Sequence, residues 1–255
     1  MHAVKLGVPV LDELLPEGVL RSSLISVQGE PGTGKSAIVA EVAYRFTQRG
    51  EPAIMVCMED TALSAAQRIL TLGFDLTKAL EGGLVFLDCF SYRIEERIRR
   101  ARLSPSVSRL REAISGSTVY IGKPRGPEDV WRAVLMEVES RGVAERGAVV
   151  LDSITEFLTR VDPVVLLESM KELRADLCKG LMVPVFYTMH FGVFDEYRSI
   201  MECFTDGIID LRFDPKGMKM GILAKQVRVR RMSGVRHLTK WVSFEIVRGE
   251  GAVKV

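Results

Sequence analysis

The sequence predicts an α/β fold: a mostly parallel sheet covered by helices on both faces, with an antiparallel extension at the C-terminal end. Three observations carry that reading. Apolar runs of strand length recur with helical segments between them, the alternation of a parallel sheet buried on both sides. A glycine-rich stretch joins the first such run to an amphipathic segment. After about Phe204 the helical spacing gives way to β-branched residues separated by Gly and Pro, the pattern of sequential antiparallel strands. With 255 residues, 47% of them hydrophobic, one domain over 1–255 can bury a full core.

In chain order, the predicted strands are 24–28 (LISVQ), 53–58 (AIMVCM), 84–89 (LVFLDC), 148–152 (AVVLD) and 183–189 (VPVFYTM). A helix is expected over 36–49, where Ile38, Val39, Val42, Ala43 and Phe46 share one face and Gly50 supplies the stop. A second fits Thr61 to Leu72. Two more, Pro127 to Arg141 and Pro163 to Lys179, each open on a proline, the residue best tolerated in a first turn. The stretches DGIIDLRF, KMGILAKQVRVRR and KWVSFEIV within 205–255 supply the antiparallel strands.

Composition narrows the function classes. No apolar run approaches the roughly 18 residues of a membrane span, and Lys5, Asp12 and Glu13 break any N-terminal leader, so a cytoplasmic protein is expected. Four dispersed cysteines form no CxxC pair and indicate neither a disulfide framework nor a zinc site. A formal net charge of +2 does not make the whole molecule a nucleic-acid binder, though local patches remain candidates. The absence of Asn, only four Gln and 27% charged residues follow the direction of hyperthermophile proteins.

The chemistry concentrates in Gly29, Glu30, Pro31, Gly32, Thr33, Gly34, Lys35 and Ser36, which fit GxxxxGK[ST] between a strand and a helix, with Ala37 next in line. Such a loop turns its backbone N–H groups around phosphate oxygens, and the helix behind it directs its positive end at the same anion. Lys35 is expected on the β- and γ-phosphates and Ser36 on Mg²⁺, making ATP and Mg²⁺ the cofactors. Asp152, closing the run AVVLD, is the candidate second Mg²⁺ residue, acting through a bound water. The strand after the loop's helix ends in Glu59 and Asp60. Glu59 has the reach to orient a water for attack on the γ-phosphate, while Asp60 reads either as a second acid or as a helix N-cap. Glu59 and Lys35 are the candidate catalytic residues.

Together, GVPVLDELLPEGVLRSSLISVQGEPGTGKS, the strand ending in MED, VVLDSIT and the closing DGIIDLRF to VSFEIV resemble the KaiC-like, RadA-paralogue branch of the RecA superfamily. The resemblance covers about residues 4–75, 147–190 and 205–255. It implies a three-layer RecA-like core and an ATPase whose sites lie between subunits of a homo-oligomeric ring, with a hexamer one candidate. It also matches Glu59 and Asp60 to a pair of acids of which the first is taken as catalytic. The family's Lys-x-Arg pair, which reaches a neighbouring subunit's nucleotide, falls here on Arg231 and Ser233, with Gly234 matched. After the fifth strand, where the family has a polar sensor, this chain offers Thr188 and His190.

Two basic stretches complete the reading. Residues 216–240 hold eight Lys or Arg and no acid; a solvated hairpin, a strip facing a neighbour's ATP, and a DNA or RNA contact all fit, with Arg228, Arg230 and Arg231 the first residues to test. Residues 91–117 carry seven Arg against three Glu and read as a helix broken near Pro105, laced with ion pairs, or as a partner-binding insertion. The expected function is an ATP·Mg²⁺ ATPase regulating DNA repair or recombination, with single-stranded DNA or a protein machine as partner. The alternative is a nucleotide-gated scaffold with little hydrolysis, for which TMHFGVFDEY resembles a segment of the archaellum motor's accessory ATPase.

Overall fold

The computed structural model describes residues 3–95, 103–192 and 195–255, without the side chains of 195 and 196. Ten strands form one sheet: β3 (Leu24–Gly29), β4 (Ala53–Cys57), β5 (Leu84–Asp88), β6 (Thr118–Tyr120), β7 (Ala148–Asp152), β8 (Val185–His190), β9 (Gly207–Phe213), β10 (Lys225–Met232), β11 (Val242–Val247) and β12 (Gly251–Lys254). Their spatial order is β12-β11-β10-β9-β3-β8-β7-β4-β5-β6. A separate antiparallel pair, β1 (Ala3–Val4) and β2 (Val19–Leu20), flanks the short helix α1 (Pro9–Leu14).

The central strands read as unbroken apolar runs because each is buried on both faces. Along β4, Ala53, Met55 and Cys57 enter one core, and Ile54, Val56 and the following Met58 enter the other, as the two-residue period of a strand demands. The first core is closed by α1, α2 (Lys35–Thr47) and α3 (Ala62–Thr71) through Leu11, Ile38, Val42, Phe46 and Ile69; α4 (Leu76–Glu81) lies beside them. The second is closed by α6 (Pro127–Ser140), α7 (Thr155–Leu158) and α8 (Pro163–Leu173) through Val130, Val134, Phe157, Leu166 and Met170. Helix α8 runs on as a π-helical turn over Arg174–Gly180, so the expected helix to Lys179 changes its hydrogen-bonding pattern rather than ending. Helix α5 (Pro105–Ser115) opens at the proline where a break was expected, and residues 96–102 of that basic stretch lie outside the described residues.

One expected strand direction is corrected. DGIIDLRF forms β9, which runs parallel to β3, with Val27 opposite Ile209. Helix α9 (Asp195–Phe204) separates β8 from β9, and a crossover of that length delivers a parallel strand, whereas a tight turn delivers an antiparallel one. The antiparallel extension therefore starts at β10, after α10 (Pro215–Lys219), and continues through β11 and β12. Strand β6 is an addition to the expected set. It is three residues long and none of them is fully buried, so it carries no apolar run. No helix of the described residues is long and apolar enough to cross a membrane.

Candidate functional site

The parallel register fixes what meets at the C-terminal edge of the sheet. Gly29 of β3 lies opposite His190 of β8, and Leu151 of β7 opposite Tyr187, which puts Asp152 beside Thr188. Cys57 pairs with Asp152, so Glu59 and Asp60 leave β4 just above that row. The four strands β3, β8, β7 and β4 thus deliver the loop, the acids and the polar strand ends to one side, where open α/β sheets bind ligands.

The loop itself is shaped by close approach. A Cβ on Gly29 would stand 2.2 Å from the Leu211 carbonyl oxygen of β9, and Gly34, which precedes α2, adopts φ 102°; both positions require glycine. Between them Glu30, Pro31 and Gly32 are exposed, while Thr33 is buried and its hydroxyl donates to the Glu30 carbonyl at 2.8 Å. Lys35 is only 3% exposed, and its Nζ donates to the carbonyls of Gly29 (2.8 Å) and Glu30 (2.9 Å). Two of its three protons are committed to shaping the loop, which leaves one for an anion. Burial lowers its pKa to about 8, an effect partly offset by Asp152, Glu59 and Glu30. Those carboxylates are therefore close enough to act on Lys35 electrostatically.

Asp152 is the junction of the site. Its Oδ1 accepts from Ser36 Oγ (3.1 Å) and Thr188 Oγ1 (2.7 Å), and its Oδ2 faces Arg68 Nη1 (3.2 Å). Ser36 and Asp152 present hard oxygen donors side by side, the chemistry that suits Mg²⁺. Glu59 Oε2 lies 3.1 Å from His190 Nε2, and the His190 backbone N–H donates to Thr155 Oγ1 at 3.2 Å. Asp60 accepts from the Thr61 backbone N–H at 2.8 Å and faces Arg68 Nη2 at 3.4 Å. The N-cap of α3 is Thr61, whose side chain accepts from the Ser64 N–H, so Asp60 is not the cap. Gly34, Lys35, Ser36, Ala37, Arg68 and His190 share a cavity of about 420 Å³ with Gly32 and Lys225.

The sequence-predicted residues converge with one exception. Arg231, which the resemblance directs at a neighbouring subunit's nucleotide, lies away from this chain's own loop: it is opposite Ile208, and that residue pairs with Ser26 in mid-sheet, three positions short of Gly29. Its guanidinium donates instead to the carbonyls of Glu202 and Thr205 at the end of α9. The neighbouring arginines are likewise engaged: Arg228 pairs with Asp210, and Arg230 with Asp210 and Glu202. Two residues were missed. Arg68 enters from two turns along α3, and Asp88, at the end of β5, holds the start of α3 by accepting from the Ala62 N–H at 2.8 Å. A strand-end Asp next to a helix start was the available signal for Asp88. For Arg68 there was only its place on the same helix as Thr61.

A family model described as "ATPase: KaiC" matches residues 4–121. The chain is similar to UPF0273 proteins of Methanocaldococcus jannaschii (25% identical, covering 99% of this chain and 96% of the relative) and Thermotoga maritima (27% identical, 95% and 92%). Among solved structures it resembles a KaiC-like protein from Pyrococcus horikoshii with a TM-score of 0.70 at 21% identity, covering 99% of this chain and 98% of that one. Loop and fold thus make the chain similar to KaiC-like proteins, in sequence over residues 4–121 and in fold over nearly its whole length.

Proposed function

We propose that the chain binds ATP with Mg²⁺ in the phosphate-loop cleft and hydrolyses it, with Glu59 orienting the attacking water. One observation carries this reading: Lys35, Ser36, Asp152 and Glu59 come together from one helix and two strand ends, with Ser36 bonded to Asp152 and both carboxylates acting on Lys35, which lines the cavity with Ser36. The loop amides and the free Lys35 proton bind and orient the phosphates, and Ser36 with Asp152 would hold the ion. Bound there, Mg²⁺ supplies positive charge against the β- and γ-phosphates. Thr188 fixes the rotamer of Asp152 through Oδ1, and His190 fixes Glu59 through Oε2, leaving the other Glu59 oxygen to take a proton from water.

The finer reading places the site between subunits of a ring that regulates DNA repair or recombination in the cytoplasm; the family resemblance supports it. The scaffold alternative draws on the same Glu59–His190 contact, which already occupies one of the two oxygens that a water would need. Titration of ATP·Mg²⁺ into wild type and Lys35→Ala, paired with phosphate release with and without single-stranded DNA, tests these readings. Lys35→Ala should lose roughly 10²-fold in affinity, as expected for a charge-assisted phosphate contact. Wild-type affinity in that variant would remove the phosphate-loop assignment. Saturable binding with no release under either condition would favour the scaffold.

A further inference from the structure

The two oxygens of the Asp152 carboxylate are not equivalent. Oδ1 is fixed by two neutral hydroxyls, Ser36 and Thr188, whereas Oδ2 is held by the guanidinium of Arg68 at 3.2 Å. The same guanidinium spans to Asp60 Oδ2 at 3.4 Å. Both distances are long beside the roughly 2.7–2.9 Å of a firm charge-assisted bond. The Arg68 side chain is 26% exposed and lines the same cavity as Lys35 and Ser36. It is therefore a loosely held cation at the carboxylate that the nucleotide reading assigns to Mg²⁺. A divalent ion and a guanidinium repel at such separations, and one carboxylate cannot serve both at full strength.

We propose, resting on the nucleotide reading above, that Arg68 competes with Mg²⁺ for Asp152 and, when the ion takes that carboxylate, transfers its guanidinium to the phosphates. Helix α3 begins one residue after the Glu59–Asp60 pair, so this exchange also frees Asp60 from Arg68 and alters the charge beside Glu59. Arg68 then links occupancy of the metal site to the acid pair on β4. It contributes in two opposite ways, as a competitor of the ion and as a partner of the nucleotide, and that opposition separates it from a residue that merely stiffens α3.

The experiment measures binding of a fluorescent ATP analogue to wild type, Arg68→Gln and Arg68→Lys, in EDTA and across a MgCl₂ titration, with thermal melts as a folding control. In Arg68→Gln the Mg²⁺ midpoint should fall about fivefold while nucleotide affinity at saturating MgCl₂ weakens about fivefold, the scale of one part-exposed ion pair, and affinity in EDTA stays near wild type. Arg68→Lys should stay near wild type in all three. Shifts of the same sign, or an unmoved Mg²⁺ midpoint in a variant that still binds nucleotide, would overturn the role of Arg68 alone. Failure of the wild type to bind the nucleotide at all would overturn this proposal and the nucleotide reading together.

Discussion

At the phosphate-loop edge, Lys35 is buried among carboxylates that only partly compensate it, and its pKa is lowered to about 8. On the flank formed by α9, β9 and β10 the balance is reversed. Burial alone would push the Glu202 carboxyl up, yet Arg230 and Gln28 hold it below its ordinary range. Asp210, 4% exposed, is clasped by Arg228 and Arg230, while Arg212 and Arg228 lie over the Trp241 ring at 3.9 and 4.5 Å. One region leaves its buried lysine only partly compensated; the other pairs its charges within its own chain. A basic stretch in a sequence is thus no measure of available cation. The sheet decides, by placing acids opposite it.

The largest effect expected from this contrast is on stability. Asp210→Ala removes the buried partner of two arginines and should destabilise the fold by about 3 kcal/mol, as broken buried ion pairs do, measured by chemical denaturation. ATP affinity should stay within about twofold. A large loss of nucleotide binding with unchanged stability would break the distinction between the two regions.

A smaller, sharper effect is expected with pH. Phosphate binding favours the charged form of Lys35, so binding takes up a proton where the free protein has lost it. Affinity should be flat below about pH 8 and fall by up to tenfold per unit above it. A profile flat to well above that value would show that Lys35 is compensated as fully as the flank arginines are.

Most of the parallel core was legible because burial on both faces writes itself as uninterrupted apolar runs. That the loop, Asp152 and Glu59 would meet at one edge of the sheet was legible because strand ends and glycine spacing are local signals. Strand β9 was misdirected because its orientation depends on α9, whose amphipathic pattern was not recognised. Arg231 lies in a motif position, but its job is set by two carbonyls contributed by a distant helix end, information no spacing contains. Arg68 was missed for the same reason, since only the packing of α3 brings it to Asp152.

The account stands or falls on whether the acid after β4 acts on nucleotide held by the loop. The direct measurement is to load wild type and Glu59→Gln with ATP·Mg²⁺, isolate the complexes and identify the bound nucleotide over time. Glu59→Gln should retain ATP with near wild-type affinity and convert it roughly 10² to 10⁴ times more slowly. Conversion at the wild-type rate in Glu59→Gln would contradict the assignment of the attacking water to Glu59.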